Sequence, residues 1–268
     1  MTPNRAWAQL QHDIVACTRC PRLRAHCQTV AREKRAAYRD FDYWGRPVPN
    51  FGALTARLLV VGLAPGAHGA NRTGRSFTGD GGGNFLIRAM HEAGFASQPT
   101  STHARDGLRL IDAAIVNVTR CAPPENKPAR EEIVNCEPFL DETLAMMRRL
   151  RVVVALGRIA FDRCLRLHAS RDWLSPGQKL TFAHGVECTP ASGPALIASF
   201  HPSQQNTFTG RLTPEMLRRV FDRARAIILS ERHNSARGAG VWPGNGAETR
   251  ARRGAARRDN RPDRRLTD

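Results

Sequence analysis

The sequence lacks any run of eighteen apolar residues, so we expect no transmembrane helix. Its first residues, MTPNRAWAQLQHD, also lack the basic and then apolar pattern of a secretory signal. Acidic residues are scarce as well, since 24 Asp and Glu stand against 41 Lys and Arg. The first two absences argue against an embedded or exported protein, and we expect an intracellular, cytoplasmic one.

The net charge is +17, and it is spread over most of the chain. Residues 231–268 hold ten Arg and five acidic residues and so contribute +5, which leaves +12 on residues 1–230. A globular part this basic indicates a polyanionic partner, most simply nucleic acid. A GC-rich coding sequence would also enrich Arg, Ala and Gly, and composition alone does not separate the two explanations.

The seven cysteines are an odd number in a chain with no export signal, which argues against a disulfide framework. Cys17 and Cys20 form a CxxC pair after a predicted helix, Cys121 follows a predicted strand, and Cys136 lies in the next helix. Four thiolates from two places suit a tetrahedral metal ion or a cubane iron–sulfur cluster, and spacing alone does not separate these. We interpret the others as structural: Cys27, Cys164 and Cys188.

Apolar segments that alternate with helical periodicity predict an α/β fold with a parallel sheet covered on both faces. The predicted core strands are Leu58–Val61, Ala113–Val118, Val152–Leu156 and Ala195–Phe200, with a further short strand near 179–183. Helices are predicted over about 6–15, 84–92, 127–149, 158–168 and 214–229. We expect one domain over residues 1–230 and a basic, disordered tail over 231–268.

The stretch that organises the chain is LLVVGLAPGAHGANRTGRSFTGD, at residues 58–80. A buried strand leads into Gly62, Gly66 and Gly69, where the backbone can approach a ligand closely. The loop then carries two arginines, an aromatic ring and a carboxylate: Arg72, Arg75, Phe77 and Asp80. These groups could hold a flat ring near phosphates, although an ordinary connection between a strand and a helix has the same glycine spacing.

Three motifs in one order give the chain a close resemblance to a known family. They are VVGLAPGAHGANRTGRSFTGD at 60–80, AIVNVTRCAPPENKPAREEIVNCEPFL at 114–140 and SFHPSQQNTFTGRLT at 199–213. With the CxxC pair, they make residues 6–229 resemble the family-5 type of iron–sulfur uracil-DNA glycosylase.

The resemblance implies a three-layer domain with a four-stranded parallel sheet between helices, and a base-excision-repair enzyme that removes uracil from DNA. It also implies activity on other deaminated or modified bases, such as hypoxanthine and ethenocytosine, in a monomeric protein associated with the nucleoid. A structural 4Fe-4S cluster is implied on Cys17, Cys20, Cys121 and Cys136.

One position departs from the family pattern. The first motif usually reads GLAPA, whereas Gly66 stands at its last position here. The sister iron–sulfur type reads GEAPG, so Gly66 matches that type while Leu63 matches family 5. The HGANRTGR loop and the third motif favour family 5. The substrate range stays open at this point, with a uracil-strict family-4 type as the alternative.

Cleavage of an N-glycosidic bond needs a negative group near the sugar and hydrogen-bond donors at the leaving base. The resemblance implies that Phe77 stacks on the base, that Asn117 binds the base edge or water, and that His201 donates to the base oxygen. Asp80, the nearest carboxylate, is the candidate that activates water or stabilises the cationic sugar. Helix capping by Asp80, a turn role for Asn117 and packing roles for Phe77 and His201 are the alternatives.

The remaining predicted site residues bind substrate or DNA. Gly62 and Gly66 bring the backbone against the base. Ser203, Arg72 and Arg75 are predicted phosphate contacts. The segment from Gln204 to Arg211 is predicted to enter the DNA groove and fill the vacated space. It is polar apart from Phe208 and the following Leu212, and the sequence leaves open which residue forms the wedge. No lysine is placed as a Schiff-base nucleophile, which predicts a monofunctional glycosylase.

Two other classes of protein fit parts of the sequence. A non-catalytic nucleic-acid-binding protein with a four-cysteine zinc site would explain the charge and the cysteines, but not the pocket residues. A small-molecule α/β enzyme would use the glycine loop for a nucleotide cofactor. That reading predicts an acidic ribose-binding residue after the second strand, where Asn117 and Thr119 stand instead.

Overall fold

The computed structural model describes residues 2–175 and 177–237, which form an α/β domain around one mixed sheet. The six strands are β1 Phe51–Gly52, β2 Leu58–Gly62, β3 Ala113–Asn117, β4 Val152–Leu156, β5 Glu187–Cys188 and β6 Ala195–Ser199, in the order β1-β3-β2-β4-β6-β5. β3, β2, β4 and β6 are parallel, and every residue in them is buried. Complete burial explains why their sequences are continuous apolar runs.

The predicted α/β class and the four parallel core strands are confirmed, but the strand count was too low. β1 and β5 add two antiparallel edges of two residues each. The strand predicted near 179–183 is wrong, because that segment is irregular and the edge strand forms at β5. Strands this short lack enough residues to show periodicity, which explains the error.

Helices cover both faces of the sheet and make the three layers. They are α1 Pro3–Ala16, α2 Pro21–Glu33, α3 Ala70–Thr73, α4 Gly81–Glu92, α5 Arg130–Met146, α6 Arg158–Ala169, α7 Gln204–Phe208 and α8 Pro214–Arg237. α4 and α8 pack on one face of the sheet, and α5 and α6 pack on the other. Alternate residues of each strand enter the two cores, as the twofold period of a strand requires.

α1 and α2 form an N-terminal pair beside the main domain. Small apolar clusters attach α1 to α5, and α2 to the chain that follows β3. α8 continues past the domain boundary predicted at residue 230, and the rest of the predicted tail lies outside the described residues. No described helix is long and apolar enough to cross a bilayer.

Candidate active site and cysteine cavity

Three predicted pocket residues meet where β2 and β3 end. A Cβ atom added at Gly62 would lie 2.5 Å from Asn117 Oδ1 and 2.7 Å from the Phe77 ring, so only glycine fits between them. Asn117 Nδ2 donates to Ser76 Oγ at 3.0 Å, while its buried Oδ1 has no hydrogen-bond partner. Phe77 has a φ of 51°, a strained value for an aromatic residue. The fold therefore presents a free carbonyl oxygen beside a fixed ring.

His201 lies just after β6 and joins the same pocket. Its ring centroid is 6.0 Å from that of Phe77, with 36° between the ring planes. Burial lowers the pKa of His201 to about 4, because a charged imidazolium loses hydration there. The imidazole is therefore neutral at physiological pH, and a neutral imidazole donates one hydrogen bond. Asn206 Nδ2 holds the segment by donating to the His201 carbonyl at 2.8 Å.

Asp80 ends the glycine loop and uses its two oxygens differently. Oδ1 accepts a hydrogen bond from the Gly83 amide at 2.7 Å and so caps α4. Oδ2 lies over the first glycine turn, since an added Cβ would be 3.0 Å from it at Gly66 and 1.9 Å at Gly69. Burial raises the pKa of Asp80, although the Gly83 amide and Arg72 oppose the shift. The alternatives of cap and site carboxylate are therefore both compatible with the structure.

The backbone places Asp80 next to the segment that carries His201. A Cβ added at Gly82 would lie 2.6 Å from the Pro202 carbonyl oxygen and 3.6 Å from Asp80 Oδ1. The first turn of α4 thus packs directly against the chain that follows β6. The two segments are far apart in the sequence, so no local pattern predicts this contact. They meet because both follow parallel strands whose carboxyl ends lie at the same edge of the sheet.

Arg72 and Arg75 lie inside the loop, with 5% and 7% of their surfaces exposed. Arg72 donates to the carbonyls of His68 and Gly79, and its guanidinium stacks on aromatic rings. Arg75 forms an ion pair with Asp106 at 2.7 Å. Their burial argues against the predicted phosphate contacts and assigns both side chains to bracing the loop.

The loop brace also explains the state of Asp106. Burial alone would raise the pKa of this carboxyl, but hydrogen bonds from Arg75 and from the amides of Leu108 and Thr102 lower it instead. Asp106 lies 31 residues after Arg75, and the sequence carries no pattern that pairs them. This residue of the site was therefore missed.

The segment after β6 forms the rim of the pocket. Ser203 caps α7 by accepting from the Asn206 amide at 3.3 Å, which leaves its O–H able to donate to a phosphate. Gln204 and Arg211 are exposed, and the Arg211 guanidinium lies 4.7 Å from the centre of the Phe200 ring. Phe208 is 83% exposed whereas Leu212 is 1% exposed. Of the two predicted wedge residues, only Phe208 projects into solvent.

The four predicted metal-binding cysteines line one small cavity between α1, α2, α5 and the chain after β3: Cys17, Cys20, Cys121 and Cys136. All four are free thiols. No set of three or more His, Cys, Asp or Glu side chains in the described chain is arranged to hold a single metal ion. The thiols surround a space instead, a donor set that suits a polyatomic cluster.

Donors already point at this cavity. The Arg120 amide donates to Cys136 Sγ at 3.3 Å, and Asn135 Nδ2 donates to Cys20 Sγ at 3.9 Å. The Arg120 guanidinium, which lines the same cavity, is buried and has no hydrogen-bond partner. An orphaned buried cation beside four thiols fits an anionic group held by thiolates. The residues present therefore fit the cluster that the resemblance implies.

Cys27, which the sequence analysis interprets as structural, is a further thiol near the cavity. It is buried and donates to the Ala122 carbonyl at 3.6 Å. A hydrogen bond between Cys27 and Cys121 is the main cause that raises the pKa of Cys121. Burial raises the pKa of Cys136 to about 11.

Comparisons with known proteins agree with this geometry. Residues 49–225 match the Uracil DNA glycosylase superfamily. A Type-5 uracil-DNA glycosylase of Mycobacterium leprae is 46% identical over 82% of this chain and 94% of its own, and one of Thermus thermophilus is 46% identical over 80% and 94%. A Type-4 uracil-DNA glycosylase of Thermotoga maritima is 30% identical over 67% of this chain and 82% of its own. The chain belongs to the uracil-DNA glycosylase superfamily.

Proposed function

We propose that this protein is a DNA repair enzyme that hydrolyses the N-glycosidic bond of uracil in DNA and leaves an abasic site. The observation that carries the proposal is the meeting of Phe77, Asn117 and His201 at the carboxyl ends of three parallel strands. The similarity to Type-5 enzymes supports the same chemistry. A binding protein with a zinc site would have no use for this arrangement.

Base recognition rests on Phe77 and Asn117. An aromatic face stacks on a flipped pyrimidine, and the unpaired Asn117 Oδ1 can accept from a ring N–H of uracil. Ser76 fixes the amide in that orientation by accepting from Asn117 Nδ2. Cytosine lacks the corresponding proton at N3, so the same oxygen would remain unpaired against it.

Bond cleavage rests on His201 and Asp80. The neutral His201 imidazole donates to the uracil oxygen on which negative charge develops, and burial strengthens that hydrogen bond. Asp80 Oδ2, which lies over the glycine turn at Gly66 and Gly69, is proposed to face the sugar and to accept a proton from the attacking water. A raised pKa makes Asp80 a better proton acceptor.

The chemistry needs no covalent intermediate with the protein. Lys34, Lys127 and Lys179 are the lysines of the sequence, and none lies in the segments that form the pocket. Lyase chemistry requires an amine nucleophile that forms a Schiff base with the sugar. We therefore propose a monofunctional enzyme.

DNA binding uses the rim of the pocket. Exposed Arg158 and Arg211 border a groove that also contains His201, and both are placed to contact phosphates. Phe208 projects from α7 beside them and is the wedge that fills the space left by the flipped nucleotide. Gln204, at the start of α7, is proposed to contact the DNA strand next to the one that carries the flipped nucleotide. We propose a monomer that acts on the DNA of the nucleoid in the cytoplasm.

The four-cysteine cavity is proposed to hold a 4Fe-4S cluster. When bound, this group supplies a rigid cross-link, and it takes no part in hydrolysis. Cys17 and Cys20 would provide ligands from the junction of α1 and α2, Cys121 from the chain after β3, and Cys136 from α5. These four cysteines would thereby tie the N-terminal helix pair to the domain that carries the pocket.

The substrate range is proposed to be broad, as in the family-5 type. Gly66 replaces the alanine of that family's first motif and leaves only a hydrogen atom facing Asp80 Oδ2. The smaller side chain widens the pocket floor, which suits a purine such as hypoxanthine. A uracil-strict enzyme of the sister type is the alternative.

Base release from matched oligonucleotides tests the function. Duplexes that carry one uracil, one hypoxanthine or no lesion are incubated with iron-replete protein and with its Phe208→Ala variant. Release of uracil and hypoxanthine without strand cleavage supports a broad, monofunctional enzyme, and release of uracil alone supports the strict alternative. Tight binding to all three duplexes without release would overturn the enzymatic function. Phe208→Ala should reduce release from the duplex more than from a single strand.

A further inference from the structure

The Arg120 guanidinium is the most poorly satisfied polar group in the described chain. It is 2% exposed, and its three nitrogens Nε, Nη1 and Nη2 are buried without a hydrogen-bond partner. A guanidinium has five N–H donors and is almost never buried unpaired, because desolvation of a charge is costly. A guanidinium stays protonated in proteins, so the side chain carries its charge at neutral pH. Such a group needs an anion nearby.

Among the described residues that line the cavity with Arg120, the one carboxylate is already engaged. Glu132 lines the same cavity, but its oxygens accept from Arg22 Nε at 2.8 Å and Nη2 at 2.7 Å, and from the Ala129 amide at 2.7 Å. The anionic groups that remain around the cavity are the cysteine sulfurs. The chain thus positions a buried cation toward thiolates and engages the one competing acid elsewhere.

We propose that Arg120 is the buried counter-charge of the cofactor held by Cys17, Cys20, Cys121 and Cys136. The inference rests on the proposed cluster. Four thiolates give −4, and either an oxidised cubane core or a zinc ion supplies +2, so the occupied site carries −2. A positive charge inside a low-dielectric wall offsets that charge far more effectively than a solvated one.

Arg120 is a positioning residue, and its role differs from that of two other cations at the cavity. Arg24 lines the cavity but donates to the Gly45 carbonyl at 3.3 Å. Arg19 also lines the cavity, but it is exposed, and its guanidinium lies over the Phe139 ring and donates to the Asn135 carbonyl. Water screens that charge. Arg19→Met therefore serves as a matched control. It removes one positive charge at the same cavity and leaves the buried side chains of the cavity wall unchanged.

Two properties of the holoprotein report on Arg120. The rate at which a chelator removes the cluster can be monitored by the visible absorbance of the cluster. This rate should be about tenfold higher or more in Arg120→Met than in wild type, the usual effect of losing a supporting residue around a metal site. Its reduction potential at an electrode should fall, since the reduced cluster gains one more negative charge and so depends more on the cation. Arg120→Lys should remain close to wild type in both measurements, and so should Arg19→Met.

The outcomes separate the two proposals. Wild-type protein without iron, sulfide or zinc would overturn the cofactor and the inference together. Wild-type protein with zinc would overturn the cluster alone, and zinc release from Arg120→Met would then test the charge. A cluster whose release rate and potential are unchanged in Arg120→Met would overturn the inference alone. If Arg120→Met does not fold, the release rate and potential of the neutral Arg120→Gln are compared with those of the charged Arg120→Lys.

Discussion

At the scale of single residues, Asp80 shows why capping and catalysis need not compete. Oδ1 accepts from the Gly83 amide, and Oδ2 lies over the turn at Gly66 and Gly69. A carboxylate can hold both positions because it has two acceptor oxygens. The cap fixes the side-chain rotamer, which in turn fixes where the second oxygen points. The structural role therefore prepares the chemical one.

Asp80→Asn separates these roles. Asparagine caps helices about as well as aspartate, so the thermal midpoint should stay near that of wild type. Loss of the proton acceptor should reduce single-turnover uracil release by roughly 10²-fold or more. Asp80→Ala is the matched variant that should lose release and, in addition, about 1 kcal/mol of stability. Wild-type release by Asp80→Asn would remove Asp80 from the mechanism.

His201 predicts an unusual pH dependence. Its pKa in the folded state is about 4, against 6.5 for an ordinary histidine, so it stays neutral from pH 5 upward. Uracil release should therefore show no inflection near pH 6.5. Its acid limb should come from protonation of Asp80, whose pKa burial raises. A rate that falls as pH rises through 6.5 would instead mean that a charged imidazolium is required.

The same shift affects stability with a definite sign. Between pH 6.5 and 4, His201 is protonated in the unfolded state but stays neutral in the folded state. The free energy of unfolding therefore falls as pH falls. His168 and His184 have lowered pKa values from burial as well, and contribute in the same direction. Denaturant unfolding of wild type and His201→Gln at pH 5 and 7.5 isolates one residue. Wild type should lose more stability than the variant.

At the scale of elements, the sequence predicts most of the frame and part of the site. The four core strands are apolar runs bounded by glycine or polar residues, so their positions follow from composition. Asn117 and His201 stand where such strands end, and parallel strands bring those ends together. The edge strands were not predictable, because two residues carry no period. The Arg75–Asp106 pair is a distant tertiary contact without a local signal.

The N-terminal helix pair depends on the cysteine cavity. Leu10 and Ile14 of α1 pack with Cys136 and Phe139 of α5, and α2 attaches through a small cluster around Cys27 and through the Arg22–Glu132 ion pair. Cys136→Ser should therefore lose iron and sulfide, and the N-terminal residues should become sensitive to limited proteolysis. Removal of the proposed cluster from wild type by a chelator should produce the same cleavage. Cys164→Ser, a buried thiol on α6 away from the cavity, is the control that should retain iron.

At the scale of the whole molecule, charge and chemistry are distributed differently along the chain. The superfamily match ends at residue 225, and the pocket lies within it. Residues 238–268 contain eight Arg and four acidic residues, a net +4 outside the matched region. Residues 1–237 keep the larger part of the +17. The pocket and the C-terminal charge are therefore separable by truncation.

A chain that ends at Arg237 tests whether the C-terminal charge binds DNA. Each phosphate neutralised by Lys or Arg adds about 0.9 to the slope of log K against log salt concentration. Loss of residues 238–268 should lower that slope by about one unit or more and weaken binding most at low salt, where screening is least. Uracil release at saturating enzyme should not change, because every pocket residue remains. Equal slopes for the two chains would mean that residues 1–237 make all the electrostatic contacts with DNA. Slower uracil release by the truncated chain at saturating enzyme would instead mean that residues 238–268 contribute to catalysis.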